Sequence, residues 1–115
     1  MRKVFYLSTC TTCKKILDQL PEGHGLDLQD IKSESIQPEQ LEEMHKRAGS
    51  YEKLFSRRSM KYRKWGLHEE TLTEDRYRDL ILEEYTFLKR PVFVIDDEIF
   101  IGNAKKEVEG ALAVL

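Results

Sequence analysis

Hydrophobic and polar positions along this chain switch between two periods, and each switch marks an element. Lys3 to Leu7 is a β-rich run that Ser8-Thr9 break. From Thr11 the period becomes helical: Cys13, Ile16, Leu17 and Leu20 recur at i, i+3, i+4 and i+7, and Pro21 and Gly23 end the stripe. Leu26 to Ile31 alternates as Leu, Asp, Leu, Gln, Asp, Ile and predicts a short strand. Pro38 suits the first turn of a second helix, with Leu41, Met44 and Ala48 on one face and a stop at Gly49. Ser50 opens a short helical stretch through Leu54 and Phe55. Thr73 predicts an N-cap, with Glu74 and Asp75 at the positive end of the helix dipole. Tyr77, Leu80, Ile81, Tyr85 and Leu88 predict one long helix behind it. Val92 to Ile95 suits a strand buried on both faces. Asp96-Asp97 predicts a hairpin turn and Glu98 to Ile101 its return strand. A final helix then turns Val108, Ala111, Leu112 and Leu115 inward.

The element order β-α-β-α…α-β-β-α predicts one α/β domain over residues 1–115, a small mixed sheet flanked by helices. An all-helical insert from about residue 37 to residue 88 interrupts it. A chain of 115 residues has the length of an ordinary domain. It can bury roughly two-thirds of its unfolded surface, so neither metal nor disulfides are needed for folding. The longest apolar runs, Val4 to Leu7 and Val92 to Ile95, fall far short of the ~20 residues of a membrane helix. Met1-Arg-Lys3 is followed by too few apolar residues for a secretory signal. A cytoplasmic protein without membrane contact is expected.

Charge and cysteine content change the picture further. Nineteen basic and 21 acidic residues give a net charge of −2, which disfavours direct nucleic-acid binding by bulk electrostatics. The chain has two cysteines, in the spacing Cys10-Thr-Thr-Cys13. The predicted strand-to-helix junction puts Cys10 at the helix N-terminus, where unpaired amides stabilise a thiolate. Cys13 opens the apolar stripe, so its sulfur is expected inward while Cys10 stays accessible. An exposed nucleophile beside a buried partner is the arrangement thiol–disulfide exchange needs. Three plainer readings compete. A zinc site would require two more ligands, and His24, His45 and His68 have no ligand spacing, so no metal is expected. A purely structural disulfide would close too short a loop to matter. Inert core cysteines suit Cys13 but not Cys10, which follows Ser8-Thr9 at a strand end.

At this point the sequence resembles the ArsC/Spx family of thioredoxin-fold proteins, through three segments in order. Phe5-Tyr-Leu-Ser-Thr-Cys10-Thr-Thr-Cys13-Lys-Lys15 is similar to the family's first strand and active-site loop, in its two-cysteine form. Phe55-Ser-Arg-Arg58-Ser59 resembles the insert segment in which members place an arginine near the catalytic cysteine. Leu88-Lys-Arg90-Pro91-Val-Phe-Val-Ile95 resembles the arginine–proline element, whose proline is expected in cis.

The resemblance implies a thioredoxin-like fold with Cys10 as nucleophile and Cys13 as the resolving thiol. Arg58 and Arg90, with Pro91, Thr11 and Thr12, are then expected to bind a small anionic or thiol substrate. Paired guanidiniums grip such groups bidentately and favour the thiolate. Arg57, Lys61, Arg63 and Lys64 read as a solvated helix face. No bound cofactor is expected, and glutathione or thioredoxin is the implied electron donor. Where arsenate reductases of the family carry a further arginine, this chain has Ile101-Gly102-Asn103, and no arginine follows Arg90. The two-cysteine loop is closer to Spx-type regulators, which sense oxidation and bind the RNA polymerase α subunit. Gly49 lies near the glycine on which that contact depends. A thiol-dependent oxidoreductase is therefore the first expectation, and a redox-sensing transcriptional regulator the alternative.

Overall fold

The computed structural model describes all residues, 1–115, and divides them into two compact units: Met1–Ser35 with Arg90–Leu115, and Ile36–Lys89. The first unit is built on β1 (Arg2–Tyr6), α1 (Thr11–Leu17), β2 (Asp27–Asp30), β3 (Val92–Ile95), β4 (Glu98–Ile101) and α5 (Lys105–Ala113). The second carries α2 (Pro38–Ala48), α3 (Met60–Lys64) and α4 (Glu74–Glu83), with short 3-10 turns at 52–54, 67–69 and 85–87. This is a mixed α/β fold of the thioredoxin-like class. No helix is long and apolar enough to cross a membrane.

The sheet order is β2-β1-β3-β4. β1 runs parallel to β2, with Val4 opposite Leu28, and antiparallel to β3, with Val4 opposite Phe93. β3 and β4 form an antiparallel hairpin that sets Phe93 opposite Phe100. The hairpin turns at Asp96, whose φ of 56° is one that aspartate tolerates. β3 is buried along its whole length, as its unbroken apolar run requires. On one face of the sheet, Val4, Phe93 and Ile95 pack with Ile16 of α1, Leu26, and Val108 and Ala111 of α5.

Three sequence expectations shift in this frame. Leu20 lies beyond α1, which ends at Leu17 with Asp18 as its C-cap, and it reaches the core from the following turn. β2 reverses the phase that its residue types suggest: Leu28 is exposed and Gln29 is buried at 1% exposure. The Gln29 amide nitrogen donates to the carbonyls of Glu34 and Ser35, which is how a polar side chain occupies the inner face at little penalty. The single helix predicted from Thr73 to Leu88 breaks at Glu84, where the backbone becomes extended. Glu84 accepts hydrogen bonds from the Thr86 amide at 3.1 Å and the Thr86 hydroxyl at 2.8 Å. It thereby caps a new 3-10 turn, Tyr85–Phe87, which turns Phe87 and Leu88 into the core rather than Tyr85.

In the second unit Phe55 stacks on Phe87 at 5.1 Å and tilts against Tyr77 at 4.9 Å. Chain return is held by hydrogen bonds from Ser56 to the Phe87 carbonyl and from Lys89 to the Leu54 carbonyl. Arg57 and Lys61, read from sequence as solvated cations, are both engaged here. Arg57 bonds the Glu52 carboxylate and the Tyr77 hydroxyl, and Lys61 bonds the buried Glu84. A carboxylate that is itself mostly buried needs a cation close by, which explains the Lys61 pairing.

Candidate active site

β1 ends at Tyr6, and the next four residues fold into a tight turn closed by the Cys10 amide bonding the Leu7 carbonyl at 3.0 Å. Asp30 at the end of β2 accepts from the Ser8 amide at 3.2 Å and ties that turn to the neighbouring strand. Cys10 is the N-cap of α1, with extended backbone (φ −96°, ψ 111°), and its carbonyl accepts the first helical bond from Lys14. Its side chain is partly exposed, and no side-chain oxygen caps the helix start. A sulfur therefore sits where Ser or Asp commonly stands. Thr11 and Thr12 form the exposed first turn. Cys13 has no solvent exposure, as its place at the head of the Ile16 stripe demands.

Both thiols are free, and their proton affinities diverge. At Cys10 partial burial works against ionisation, but three groups outweigh it. They are the Cys13 backbone N–H, the Cys13 thiol and the Arg90 guanidinium, and together they hold Cys10 below its ordinary value. At Cys13 burial pushes the thiol up to about 11, and the neighbouring Cys10 sulfur adds to the rise. The Leu7 backbone and Arg90 oppose that rise without cancelling it. The partly exposed sulfur thus ionises more readily than an ordinary thiol, and the buried one holds its proton and donates it toward the first.

Arg90 and Pro91 come to this site from the opposite end of the chain. The Arg90–Pro91 peptide is cis, and Pro91 is buried directly before β3. The Pro91 carbonyl accepts from the Gly102 amide at 2.8 Å, so the stretch Ile101-Gly102-Asn103 closes the strand pair by its backbone. Gly102 has φ 88°, a left-handed conformation that favours glycine. Of the residues singled out from sequence, Cys10, Cys13, Thr11, Thr12, Arg90 and Pro91 all lie in the first unit. Arg58 lies in the second, exposed on the loop before α3, with its amide bonded to the Ser56 hydroxyl. Asp30 was not foreseen as part of the site. Nothing marks an aspartate at a strand end as the anchor of a turn twenty-two residues earlier.

The comparisons agree with this fold. The family described as the ArsC family matches residues 5–111. Nothing among curated proteins matches the sequence. Among solved structures, a protein from Staphylococcus aureus COL is 28% identical with a TM-score of 0.74, covering 96% of this chain and 97% of its own. An arsenate reductase (ArsC) related protein from Brucella melitensis is 27% identical with a TM-score of 0.69, covering 95% and 92%. An arsenate reductase from Vibrio cholerae is only 17% identical, yet it superposes with a TM-score of 0.78 over 99% of this chain and 98% of its own. That last likeness is one of fold.

Proposed function

Since this chain belongs to the ArsC family, we propose that it is a thiol-dependent reductase in which Cys10 attacks and Cys13 resolves. The observation that supports this most is the opposed tuning of the two sulfurs around Arg90, with Cys10 favoured as thiolate and Cys13 held as thiol. In the reaction the Cys10 thiolate attacks one sulfur of a disulfide substrate and expels the other as a thiolate. Cys13 then loses its proton and attacks the Cys10 sulfur, expelling the second substrate thiolate. The substrate gains two electrons and two protons as thiols, and the protein is left as a Cys10–Cys13 disulfide. Glutathione or thioredoxin closes the cycle by reducing that bond.

The proton on Cys13 does not obstruct the second step. Once Cys10 is bonded to substrate its negative charge is gone, and with it the part of the Cys13 shift that Cys10 causes. Arg90 remains, so Cys13 becomes easier to ionise at the moment its thiolate is needed. Arg90 and the exposed Thr11 and Thr12 would receive an anionic group of the substrate. Arg58 joins them in this proposal through the family likeness of Phe55 to Ser59.

The test is a peroxide pulse followed by mass measurement. The native protein should lose about two daltons as one disulfide closes by way of a Cys10 sulfenate, with water released. Cys13→Ser should instead hold a sulfenate, or a glutathione adduct when glutathione is present. Turnover of a small disulfide with glutathione or thioredoxin should accompany disulfide formation. Absence of the internal disulfide under any oxidant would remove the resolving role. Disulfide formation without turnover, but with altered partner binding, would replace the reductase by a redox-sensing regulator.

A further inference from the structure

Residues 56–65 hold five basic residues, Arg57, Arg58, Lys61, Arg63 and Lys64, and no acidic one. The whole chain carries −2, so with +5 set aside the other residues carry −7. Two of the five cations are neutralised by their neighbours, Arg57 by Glu52 at 2.9 Å and Lys61 by Glu84. Arg58, Arg63 and Lys64 form no ion pair and are exposed. Elsewhere in the same unit, cations on helices meet carboxylates close by: Lys46 and Arg47 meet Glu43, Arg76 meets Glu70, and Arg78 meets Asp79. The three on this stretch do not.

Apolar surface accompanies the charge. Met60 is 90% exposed, more than any other large hydrophobic residue of the chain, and Trp65 is 41% exposed. Met60, Arg63 and Lys64 stand at i, i+3 and i+4 on α3 and so share one face. Trp65 rests one edge on Phe87 at 5.3 Å and leaves the rest of its ring to solvent. A single exposed methionine needs no explanation. A flexible, polarisable side chain and an exposed indole on one short segment with three unneutralised cations is the composition of a binding surface.

From this we infer that α3 and the loop before it dock an acidic segment of a partner protein, one that carries apolar side chains to meet Met60 and Trp65. Charge complementarity selects the sign of the partner. Screening selects its size: charges act over ~8 Å in physiological salt, so a short acidic segment meets only the local cations. An extended polyanion such as a nucleic acid needs cations along a longer track than one short segment supplies, and its backbone offers Met60 little. The inference does not depend on the chemistry at Cys10.

The chain contains one tryptophan, Trp65, so its fluorescence reports directly on this surface. The probe is a short synthetic peptide rich in glutamate with two leucines and no aromatic residue. It should shift the emission saturably in low salt and lose affinity as salt rises. The double variant Arg63→Glu, Lys64→Glu should weaken it by about tenfold or more. Met60→Ser should weaken it about threefold or more, through lost apolar contact. The milder pair Arg63→Gln, Lys64→Gln should fall between native and charge-reversed protein, and it serves if the reversed variant misfolds. Cys10 alkylation should be unchanged in all of these variants. The proposal is overturned by an unsaturable response, by indifference to the charge variants, or by equal affinity of a leucine-free glutamate peptide. An oligothymidylate that displaces the peptide at lower concentration would assign the surface to single-stranded nucleic acid instead.

Discussion

Two side chains, Cys13 one helical turn away and Arg90 far along the chain, shift the proton equilibrium of Cys10, and each can be removed singly. Arg90→Ala takes away both a charge and a hydrogen bond from the Cys10 sulfur. Its alkylation by iodoacetamide should then reach half-maximal rate at higher pH, nearer the ordinary value of 9.0. Arg90→Lys keeps the charge without the planar fork and should give an intermediate midpoint. The titration of Cys13 itself moves the other way. The folded protein holds this thiol protonated up to about 11, whereas an unfolded chain releases the proton near 9.0. Between those values the unfolded state binds fewer protons, so Cys13 lowers stability as pH rises through that window. Cys13→Ala should flatten the alkaline limb of a denaturation-midpoint-against-pH curve relative to native protein. The Cys10-x-x-Cys13 pair was marked by its spacing at a change of period, and Arg90-Pro91 by the family resemblance of the segment before β3. Asp30 and Gln29 were not legible. Their roles rest on backbone groups they meet after folding, and a pattern of residue types does not contain those meetings.

Elements follow the pattern where burial alone decides them and depart from it where a polar side chain intervenes. α2 runs from Pro38 to the left-handed Gly49 as its stripe and stop signal require. α4 starts at Thr73 as expected but stops early, because Glu84 leaves the helix to cap the next turn. Burial opposes ionisation of Glu84, yet Lys61 and the Thr86 hydroxyl and amide outweigh it and hold the carboxyl below its ordinary range. Its contribution is fully present above the unfolded value of 4.5 and is lost as pH falls through the lower folded one. Glu84→Gln should therefore lower stability at neutral pH, by about 1–2 kcal/mol, and should remove part of the acid sensitivity below pH 4.5. Urea midpoints across that range check it. On α5 the decisive position is Gly110, where a Cβ would stand 2.7 Å from the Phe100 ring. Alanine gains about 1 kcal/mol in helix propensity, while forcing the ring aside costs about 1–3 kcal/mol. Gly110→Ala should therefore lower the urea midpoint, and Gly110→Ala with Phe100→Leu should recover it.

At the scale of the molecule, both the βαβ start and the ββα finish were readable, since strand and helix periods are distinct there. That the two ends form one sheet is not written in any local window. It follows from Val4 meeting Phe93 across nearly the whole chain. Phe93 is 1% exposed at the centre of that sheet, and Phe93→Ala should destabilise by about 3–5 kcal/mol in equilibrium unfolding. The same ladder has a consequence for synthesis. The ribosome delivers β1 first and its antiparallel partner β3 only after the entire segment Ile36–Lys89 has emerged. Until then β1 has one neighbour, and a two-stranded pair is marginal in water. Nascent chains arrested before Val92 leaves the exit tunnel should accordingly be cleaved readily by protease within residues 1–35. Chains arrested after Ile101 has cleared it should resist there. Pairings of such long sequence separation also fold slowly. The cysteine-bearing loop between β1 and α1 is therefore among the first parts made and among the last to acquire its fixed shape, and through that interval its two thiols are exposed to whatever oxidant the surroundings hold.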